Sequence, residues 1–361
     1  MIIGIEAERA NNPVKTGVEY YAKQLILNLA KIDSANQYRL YLRTAPEEWL
    51  RQLPANFHLK VIPFWIFWTQ VRISWEMLWH PVDVLLIPAS TMPFWHPRKT
   101  VVTLHDIAWD IYPQTYTKFV LWYSRIFTWL AVKFCWKVIS VSQSTKQDLI
   151  TKYGLPAEKI AVVHHGYGEE IVKPENQSLS KLLPPKYILF LSTLQPRKNL
   201  DGLIDAFKIL KQEQPELPHK LVVVGKPGWK FEAILEKIEK YKDLVVYLNH
   251  VSGEDKTVIL AHAEVLVLPS FYEGFGMQIL EAFSAGVPVA TSKVSSMPEV
   301  AGEAAVYFDP NSPVEIKNAI KNILLDKSLR DWLIEKGKAR LKEFSWEKCA
   351  RETLEVLTKM T

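Results

Sequence analysis

The sequence has few cysteines and little net charge. Its 361 residues include only Cys135 and Cys349, too few for a disulfide framework or for the four ligands of a structural zinc site. A reducing cytoplasm therefore fits best. The 44 Lys and Arg residues exceed the 39 Asp and Glu residues by a formal charge of +5. This surplus is far below the basic stripes that bind phosphate backbones, so we expect no nucleic acid partner.

Long hydrophobic runs are also lacking. The N-terminus turns acidic after five residues and has no basic leader before a long apolar run, so we expect a first strand rather than a signal peptide. The most apolar stretch, residues 119–136, contains Arg125 and Lys133, which argues against a transmembrane helix. With 48% hydrophobic and 23% charged residues, the chain has the composition and length of two globular domains.

Several catalytic motifs are missing. The dinucleotide fingerprint G-x-G-x-x-G is absent, because Gly4 and Gly17 are isolated, and residues 225–228 lack the spacing of a P-loop. No Gly-x-Ser-x-Gly elbow occurs, and the pair His164 and His165 has no partner ligand at zinc spacing. These absences disfavour nicotinamide, Walker-type, triad and metal chemistry. We therefore expect neither a metal nor a resident cofactor.

What the sequence does contain is an alternation of short apolar, β-branched runs with helical patterns. It predicts strands at 2–5, 38–42, 59–62, 82–87, 100–104, 138–141, 160–163, 187–191, 221–224, 245–248, 265–268 and 287–291, followed by helices only. Such alternation predicts an α/β protein with parallel sheets covered on both faces. Because doubly wound sheets bind ligands at the carboxyl ends of their strands, we expect two such domains to face each other across a cleft.

The domain boundary is predicted at a polar, proline-bearing linker, residues 173–185. This linker gives an N-terminal domain of residues 1–173 and a C-terminal domain of residues 186–344. A last helix, residues 345–361, is predicted to start at a Ser345 cap. Further capping boxes are predicted at Ser144 and Ser312.

A glycine loop in the second half is the clearest candidate for a binding site. It follows a predicted strand, precedes a helix, and contains Glu273, Gly274, Phe275, Gly276, Met277 and Glu281. Free backbone N–H groups at Gly276 and Met277 favour an anion at the helix N-terminus. The two glutamates are suited to accept hydroxyl groups of a sugar or a ribose. The alternative is a tight turn with two incidental glutamates.

A second loop, also after a predicted strand and before a helix, carries Arg197 and Lys198. Adjacent cations beside a helix start form an anion site, and a diphosphate requires cations as well as amides. In isolation, this Pro-Arg-Lys-Asn segment would be read as a solvated loop.

Together the two loops resemble the retaining glycosyltransferases of family 4, also called group 1, over nearly the whole chain. The resemblance implies the two-domain GT-B fold and a nucleoside-diphosphate sugar as donor. Glu273 and Glu281 resemble the E-x7-E signature of the family, which implies donor-sugar and ribose contacts, respectively. Arg197 and Lys198 resemble the pair that neutralises the donor diphosphate.

Other motifs follow in the order of the family. The segment Thr16-Gly17-Val18-Glu19-Tyr20 resembles the N-terminal glycine loop near the diphosphate, and His105 resembles the histidine lining the N-domain side of the cleft. The alternative for His105 is a buried structural histidine. The helix after Ser345 resembles the element that returns to the first domain. His164 and His165 stand where the family usually has Asn-Gly-Val, and we expect them to pack rather than catalyse.

The resemblance assigns the site residues. It implies catalytic roles for His105, Glu273, Arg197 and Lys198, and donor binding by Gly17, Arg197, Lys198, Glu273, Gly274, Phe275, Gly276, Met277 and Glu281. We expect a metal-independent hexosyltransferase of polysaccharide biosynthesis that retains the configuration of its donor, by same-face substitution. The acceptor is expected to be a glycan or a lipid-linked sugar. The favoured donor is GDP-mannose, because the chain resembles mannosyltransferases in Thr16-Gly17-Val18, at His105 and in Ser295-Ser-Met-Pro-Glu299. The rival interpretations are a GT-B epimerase or phosphorylase and a non-catalytic nucleotide-sugar binding protein.

The distribution of aromatic and charged residues suggests one further contact. Ten of the thirteen tryptophans precede residue 137, and no acidic residue occurs between Asp110 and Asp148, a stretch that carries five cations. Trp122, Trp129 and Trp136 recur every seven residues, as on one helical face. One interpretation is peripheral docking on an anionic membrane through residues 118–146, at the inner face of the cytoplasmic membrane. The other is that these aromatics pack a helix into the core.

Overall fold

The computed structural model describes residues 1–13, 17–168 and 183–359. Thr16 and most of the predicted linker, up to residue 182, lie outside the described residues. The chain divides into two compact units. Unit 1 comprises Met1–Asp110, Lys118–Gly166 and Phe344–Thr361, and unit 2 comprises Ile111–Thr117 and Tyr167–Glu343.

Unit 1 is built on a parallel sheet. Its strands among the described residues are β1 (Ile2–Glu6), β2 (Gln37–Leu42), β3 (Phe57–Val61), β4 (Val84–Ile87), β5 (Thr100–Leu104), β6 (Lys137–Ser140) and β7 (Ile160–Val162). They lie in the order β3-β2-β1-β4-β5-β6-β7, and every neighbouring pair is parallel. Strands β4 and β5 are fully buried because helices cover both faces, which confirms the expected α/β architecture.

Helices surround this sheet. In chain order, the helices that precede β7 are α1 (Gly17–Ile32), α2 (Glu48–Arg51), a π-helical segment (Trp68–Ile73) that continues into α3 (Ser74–Trp79), α4 (Ala108–Ile111), α5 (Lys118–Phe134) and α6 (Gln143–Tyr153). Helix α6 starts earlier than predicted, because Ser142 rather than Ser144 is its N-cap and accepts the N–H of Thr145 at 3.0 Å. The segment from Trp68 to Trp79 was not predicted as helical.

Unit 2 contains a second parallel sheet. Its described strands are β8 (Tyr187–Leu191), β9 (Lys220–Val224), β10 (Val245–Tyr247), β11 (Val265–Leu268), β12 (Val289–Ser292) and β13 (Ala305–Phe308), in the order β10-β9-β8-β11-β12-β13. The prediction of helices only after the strand at 287–291 is wrong, since β13 pairs with β12 in parallel. As an edge strand, β13 buries only its two end residues, Ala305 and Phe308.

The remaining helices lie in unit 2 and at the end of the chain. They are α7 (Leu200–Glu213), α8 (Glu232–Lys240), α9 (Gly253–Ala261), α10 (Met277–Ser284), α11 (Met297–Ala301), α12 (Pro313–Leu325), α13 (Lys327–Leu341) and α14 (Trp346–Thr358). The capping serines Ser312 and Ser345 are confirmed, because their Oγ atoms accept N–H bonds from Glu315 at 3.2 Å and Lys348 at 3.1 Å.

The last helix belongs to unit 1. Helix α14 packs against α1, where Tyr20 and Tyr21 lie 5.7 and 6.3 Å from Trp346 between ring centroids. Gly166, the last residue of the second segment of unit 1, lies at the start of this helix. A Cβ atom on Gly166 would lie 2.1 Å from the Trp346 nitrogen, so the close approach of the two backbones requires glycine.

One short segment departs from the predicted domain boundaries. Ile111–Thr117 lies within the predicted N-terminal domain, yet the structure groups it with unit 2. Tyr112 donates a hydrogen bond to the Phe271 carbonyl at 3.2 Å, and Tyr116 lies 5.0 Å from the Trp229 ring. Aromatic contacts between residues more than 100 positions apart thus decide where this segment packs.

Among the described residues, no helix is both long and apolar enough to cross a membrane. Both cysteines are buried, with 4% of Cys135 and 1% of Cys349 exposed. Burial raises the pKa of the Cys135 thiol to about 11, so this cysteine stays protonated at neutral pH and is a core residue.

Candidate functional site

The candidate site of unit 2 lies at the carboxyl ends of two neighbouring strands, β8 and β11. After β8, a short helical turn at Pro196–Lys198 presents the two cations. Asn199 ends this turn in the left-handed region at φ 56° and caps α7, since its side chain accepts the N–H of Gly202 at 3.2 Å. The Asn199 amide also donates to the carbonyls of Pro269 and Pro310 at 3.1 and 2.7 Å, which fixes the loop after β8 to the loop after β11.

Arg197, Lys198 and Glu273 form a buried ion cluster. The Lys198 Nζ lies 2.6 and 2.7 Å from the two carboxylate oxygens of Glu273, and an Arg197 Nη lies 3.5 Å from one of them. That guanidinium also donates to the Tyr272 carbonyl. All three charged residues are only 6–7% exposed. The structure thus brings together three of the four residues predicted to be catalytic.

The ionisation of Glu273 follows from this environment. Burial by itself would raise the pKa of its carboxyl, but the charges of Lys198 and Arg197 lower it. Hydrogen bonds from Lys198 and from the Ser270 hydroxyl, at 2.7 Å, act in the same direction. The net result is a lowered pKa, so Glu273 is a carboxylate at neutral pH and the cluster carries a net charge of one positive unit.

Two adjacent serines hold the glycine loop, and sequence analysis gave them no such role. Ser295 donates to the Glu273 carbonyl at 2.5 Å, and Ser296 donates to the carbonyls of Glu273 and Phe275 at 2.9 and 3.0 Å. Both serines belong to the Ser-Ser-Met-Pro-Glu segment, which is one of the segments that favour GDP-mannose as the donor. Nothing in their spacing from Glu273 indicates this contact, because it joins the segments after the neighbouring strands β11 and β12.

The glycine loop ends at the N-terminus of α10. Gly276 is the N-cap residue and lies in the left-handed region at φ 93°. A Cβ atom there would find only ordinary contacts, the nearest to Ile279 at 3.4 Å, so the backbone conformation rather than crowding selects glycine. Because glycine has no side chain to accept a bond, this N-terminus has no cap from its own N-cap residue. The helix thus starts where the anion site is predicted at Gly276 and Met277, and the binding of an anion there stays a prediction.

Glu281 pairs with a lysine that is not part of the ion cluster. It is in the second turn of α10 and pairs with Lys256 at 2.8 Å, where 16% of the Glu281 side chain is exposed. The E-x7-E pair is therefore divided between two environments. Glu273 is enclosed by cations, whereas Glu281 stays partly accessible beside a single lysine.

The site residues predicted in the first half of the chain lie in unit 1. Gly17 is the exposed first residue of α1, with nothing within 4 Å of a Cβ atom placed on it. His105 follows β5, and a ring nitrogen lies 3.0 Å from the Pro88 carbonyl. Burial lowers the pKa of His105, which favours the neutral imidazole at pH 7. Their roles toward a ligand stay predictions.

The two histidines near the end of unit 1 pack as expected. The His165 ring stacks on Tyr21 at 4.9 Å and on Trp346 at 6.0 Å, and it lies 5.3 Å from the His105 ring. His164 lies 5.7 Å from Phe344. Among the described residues, no group of three His, Cys, Asp or Glu side chains could hold a metal ion.

Solved structures define the class of this fold. The crystal structure of WaaG, a glycosyltransferase involved in lipopolysaccharide biosynthesis, matches with a TM-score of 0.74 and 18% identity over 100% of both chains. Anabaena Alr3699/HepE in complex with UDP-glucose matches with a TM-score of 0.75 and 20% identity over 99% of both chains. The two parallel-sheet units are those of a GT-B glycosyltransferase.

Sequence relatives identify the family. Residues 16–170 match the model of Glycosyltransferase Family 4, and residues 172–340 match that of Glycosyl transferases group 1. O-antigen chain mannosyltransferase B of Escherichia coli is 32% identical over 268 residues, which cover 71% of this chain and 69% of that protein. The chain belongs to the family 4, group 1 glycosyltransferases and is a transferase enzyme.

Other relatives are matched over smaller parts of their length. O-antigen chain mannosyltransferase RfbU of Salmonella typhimurium is 28% identical over 63% of this chain and 61% of its own. The chain spans only 29% of a serotype-specific mannosyltransferase WbdA of Escherichia coli, at 27% identity over 62% of this chain.

Proposed function

We propose that the protein transfers a hexose from a nucleoside-diphosphate sugar to a glycan or lipid-linked acceptor, with retention of configuration and with GDP-mannose as the favoured donor. The observation that carries this proposal is the buried cluster of Arg197, Lys198 and Glu273 beside the uncapped start of α10. Its net positive charge and nearby backbone N–H groups suit a diphosphate. The preference for mannose rests on relatives that are named mannosyltransferases.

The same cluster would lower the barrier to transfer. As the bond between the sugar and the diphosphate breaks, negative charge grows on the leaving phosphate, and fixed cations in a water-poor site stabilise that charge best. Glu273 is a poor nucleophile here, because Lys198 contacts both of its carboxylate oxygens. This arrangement favours same-face substitution over a covalent intermediate on Glu273.

Binding and product analysis test the donor and the stereochemistry. We expect GDP to raise the melting temperature more than UDP, ADP or dTDP, since a ligand at 100 times its dissociation constant stabilises the fold by about 2.7 kcal/mol. NMR of the transferred sugar should show the anomeric configuration of the donor. Inverted product would contradict retention, and a larger shift with another nucleotide would reassign the donor.

Metal independence is part of the same proposal. Two cationic side chains and a helix N-terminus can supply the counter-charge that a divalent ion gives in other transferases. We expect transfer to continue in EDTA. Inactivation by EDTA that manganese or magnesium reverses would show that the diphosphate needs a metal.

We further propose that α5 docks unit 1 on an anionic membrane. Four large side chains of this helix are strongly exposed: Phe119 at 71%, Trp122 at 60%, Trp129 at 47% and Phe134 at 51%. This exposure favours a surface role for Trp122 and Trp129 over packing in the core. Trp136 lies beyond the end of the helix and is only half-buried, so the predicted stripe of three tryptophans is reduced to two.

Fewer cations than expected are available to this surface. Arg125 pairs with Asp110 at 2.7 Å, and Lys137 and Lys146 donate to backbone carbonyls. Lys118 and Lys133 remain on α5, with the Lys133 Nζ 4.5 Å from the Trp129 ring. At about 1 kcal/mol per cation, electrostatics would assist docking that depends mainly on the aromatic rings.

Vesicle sedimentation tests this docking. We expect the protein to pellet with vesicles of phosphatidylglycerol and phosphatidylcholine at low salt, and Trp122→Ala with Trp129→Ala to abolish pelleting. Trp332→Ala, an equally exposed tryptophan in unit 2, serves as the control. Absence of the wild-type protein from the pellet at low salt would contradict the proposal and favour a soluble acceptor.

A further inference from the structure

The glycine loop of unit 2 is held by a short helix, α11, which directly follows Ser295 and Ser296. The hydroxyl groups of these serines donate to the carbonyls of Glu273 and Phe275 in the loop. Helix α11 has only five residues, too few for its internal hydrogen bonds to stabilise it alone. The place of the two serines therefore depends on the contacts that hold α11 from outside.

Ser295 has a backbone conformation that needs such support. Its φ is 56°, in the left-handed region that residues other than glycine seldom adopt. Its hydroxyl group donates to the Glu273 carbonyl and also accepts the Glu273 N–H at 3.3 Å. A strained residue of this kind persists only where the surrounding structure holds it. Movement of α11 would thus release Ser295, and the Glu273 backbone with it.

The other end of α11 is held by Arg340 of α13. Its Nε atom donates to the Val300 carbonyl at 3.1 Å, and one Nη atom donates to the Glu299 carbonyl at 2.6 Å. The second Nη atom pairs with Glu343, just after α13, at 2.5 Å. The last carbonyls of a helix have no partner within it, and a guanidinium can bind two of them in a fixed geometry. Arg340 therefore supplies bonds that α11 cannot make itself.

The chain after α11 leaves space for this guanidinium. Gly302 lies at φ 56°, and a Cβ atom on it would lie 3.3 Å from the Arg340 Nε atom. Both the backbone conformation and the close approach of Arg340 thus favour glycine here. The Gly302 carbonyl accepts from the Tyr307 hydroxyl group of β13. Only 25% of the Arg340 side chain is exposed, so water competes little for its bonds to α11.

Helix α13 also contacts the helix that follows the glycine loop. Gly337 lies three residues before Arg340, and a Cβ atom on it would lie 2.6 Å from the Phe283 ring. Phe283 belongs to α10, which starts at the glycine loop and packs against α13. The close approach at Gly337 fixes the spacing of these two helices. One helix, α13, therefore supports both the helix that follows the loop and the helix whose serines hold it.

We propose that Arg340 is a positioning residue of the donor site. By holding the end of α11, it keeps Ser295 and Ser296 against the glycine loop, and so keeps the N–H groups at the start of α10 aligned for a diphosphate. This inference rests on the proposed function, which places the donor diphosphate at this loop. It adds a residue that does not touch the donor, and groups that are aligned before binding bind more tightly because less ordering is needed.

Calorimetric titration of the whole chain with GDP, UDP, ADP and dTDP measures this effect. Arg340→Met should weaken binding of the tightest of the four about tenfold, because the loop must then be ordered when the diphosphate binds. Arg340→Lys keeps the charge but cannot bond both carbonyls as a guanidinium does, so it should have an intermediate affinity. The matched control is Glu343→Gln, which removes an ion pair of Arg340, keeps both bonds to α11, and should bind as the wild type does.

A cycle of single and double variants shows whether Arg340 acts through the serines. Ser296→Ala removes the bonds to the carbonyls of Glu273 and Phe275 and should also weaken nucleotide binding. If Arg340 acts by holding Ser296, adding Arg340→Met to Ser296→Ala should weaken binding by less than about twofold more. Losses that multiply in the double variant would overturn the proposal.

Stability is measured beside affinity, because a residue with only a structural role changes the melting temperature and not the affinity of the folded protein. All titrations are made at a temperature where circular dichroism shows the variant to be folded, and Arg340→Lys gives the same comparison if Arg340→Met does not fold. Wild-type affinity in the folded Arg340 variants would overturn the role of Arg340 and leave the transferase proposal standing. If the wild type binds none of the four nucleotides, the proposed function fails, and the role of Arg340 fails with it.

Discussion

Each unit has a buried glutamate beside the end of a strand, and the pKa values of these two carboxyl groups are shifted in opposite directions. Glu273 in unit 2 and Glu6 in unit 1 are 6% and 4% exposed. Two cations lower the pKa of Glu273, whereas burial raises that of Glu6 to about 7. Equal burial therefore gives an ionised group in one unit and a partly protonated one in the other, because only Glu273 has cations in contact.

This difference shows how contact with cations changes the ionisation of a buried carboxyl. A cation pair anchored on an ionised carboxylate is already arranged for an anion, so little reorganisation is needed when a diphosphate binds. Removing the cations of unit 2 should abolish the difference between the two carboxyls. Replacing Glu6 with glutamine, which cannot ionise, should isolate the contribution of unit 1.

The largest effect is expected for Lys198→Met. This change leaves Glu273 buried with only Arg197 at 3.5 Å, and breaking a buried ion pair costs about 3–5 kcal/mol of unfolding free energy. Glu273→Gln in the same chain should restore much of this loss. Urea unfolding of the two single variants and the double variant measures the coupling. Additive losses would show that the pair does not act as a unit.

The same cations should also control nucleotide affinity. Arg197→Ala and Lys198→Ala each remove a charge-assisted bond to the diphosphate and should weaken binding by about 1.5–3 kcal/mol. Calorimetric titration with nucleoside diphosphates measures this loss, with circular dichroism to check the fold. Normal affinity and normal turnover in both folded variants would place the diphosphate elsewhere.

Glu6 should make unit 1 less stable as the pH rises. Its carboxyl has a pKa of about 7 in the folded protein and about 4.5 unfolded, so the unfolded state loses its proton first. Stability should decline from about pH 4.5 to about pH 7, by up to about 3 kcal/mol relative to Glu6→Gln. Parallel unfolding curves of wild type and Glu6→Gln across this range would contradict the raised pKa.

Gly276→Ala separates the backbone part of the unit 2 site from its side chains. Alanine at φ 93° is strained by about 1–2 kcal/mol, so the first turn of α10 should shift or fray. Nucleotide binding should weaken while the cluster at Glu273 keeps its coupling. Gly154→Ala, also at a left-handed helix end but in unit 1, controls for the strain alone.

The smallest effect on stability is expected for Glu281→Gln. Its ion pair with Lys256 is partly exposed and contributes about 0.2–1 kcal/mol. If Glu281 contacts the ribose, the donor dissociation constant should rise more than turnover falls. Steady-state kinetics with a donor titration tests this. A large fall in turnover with normal donor binding would assign Glu281 to the chemical step.

Local sequence patterns determined much of the molecule. The strand and helix alternation predicted twelve of the described strands within a few residues, because the period of side-chain burial is set by backbone geometry. Ser312 and Ser345 were predicted as caps, since a cap bonds within its own first turn. The glycine loop and the cation pair were located for the same reason, as each follows directly after a strand.

Tertiary structure decided what depends on residues far apart in the chain. It paired Lys198 with Glu273, joined Tyr112 to unit 2, exposed Trp122 and buried Glu6. Pairing and exposure are properties of the packed chain, so no local pattern contains them. The protonation of a carboxyl depends on burial and on the charges that packing brings near it, which is why two glutamates of the same sequence end in opposite states.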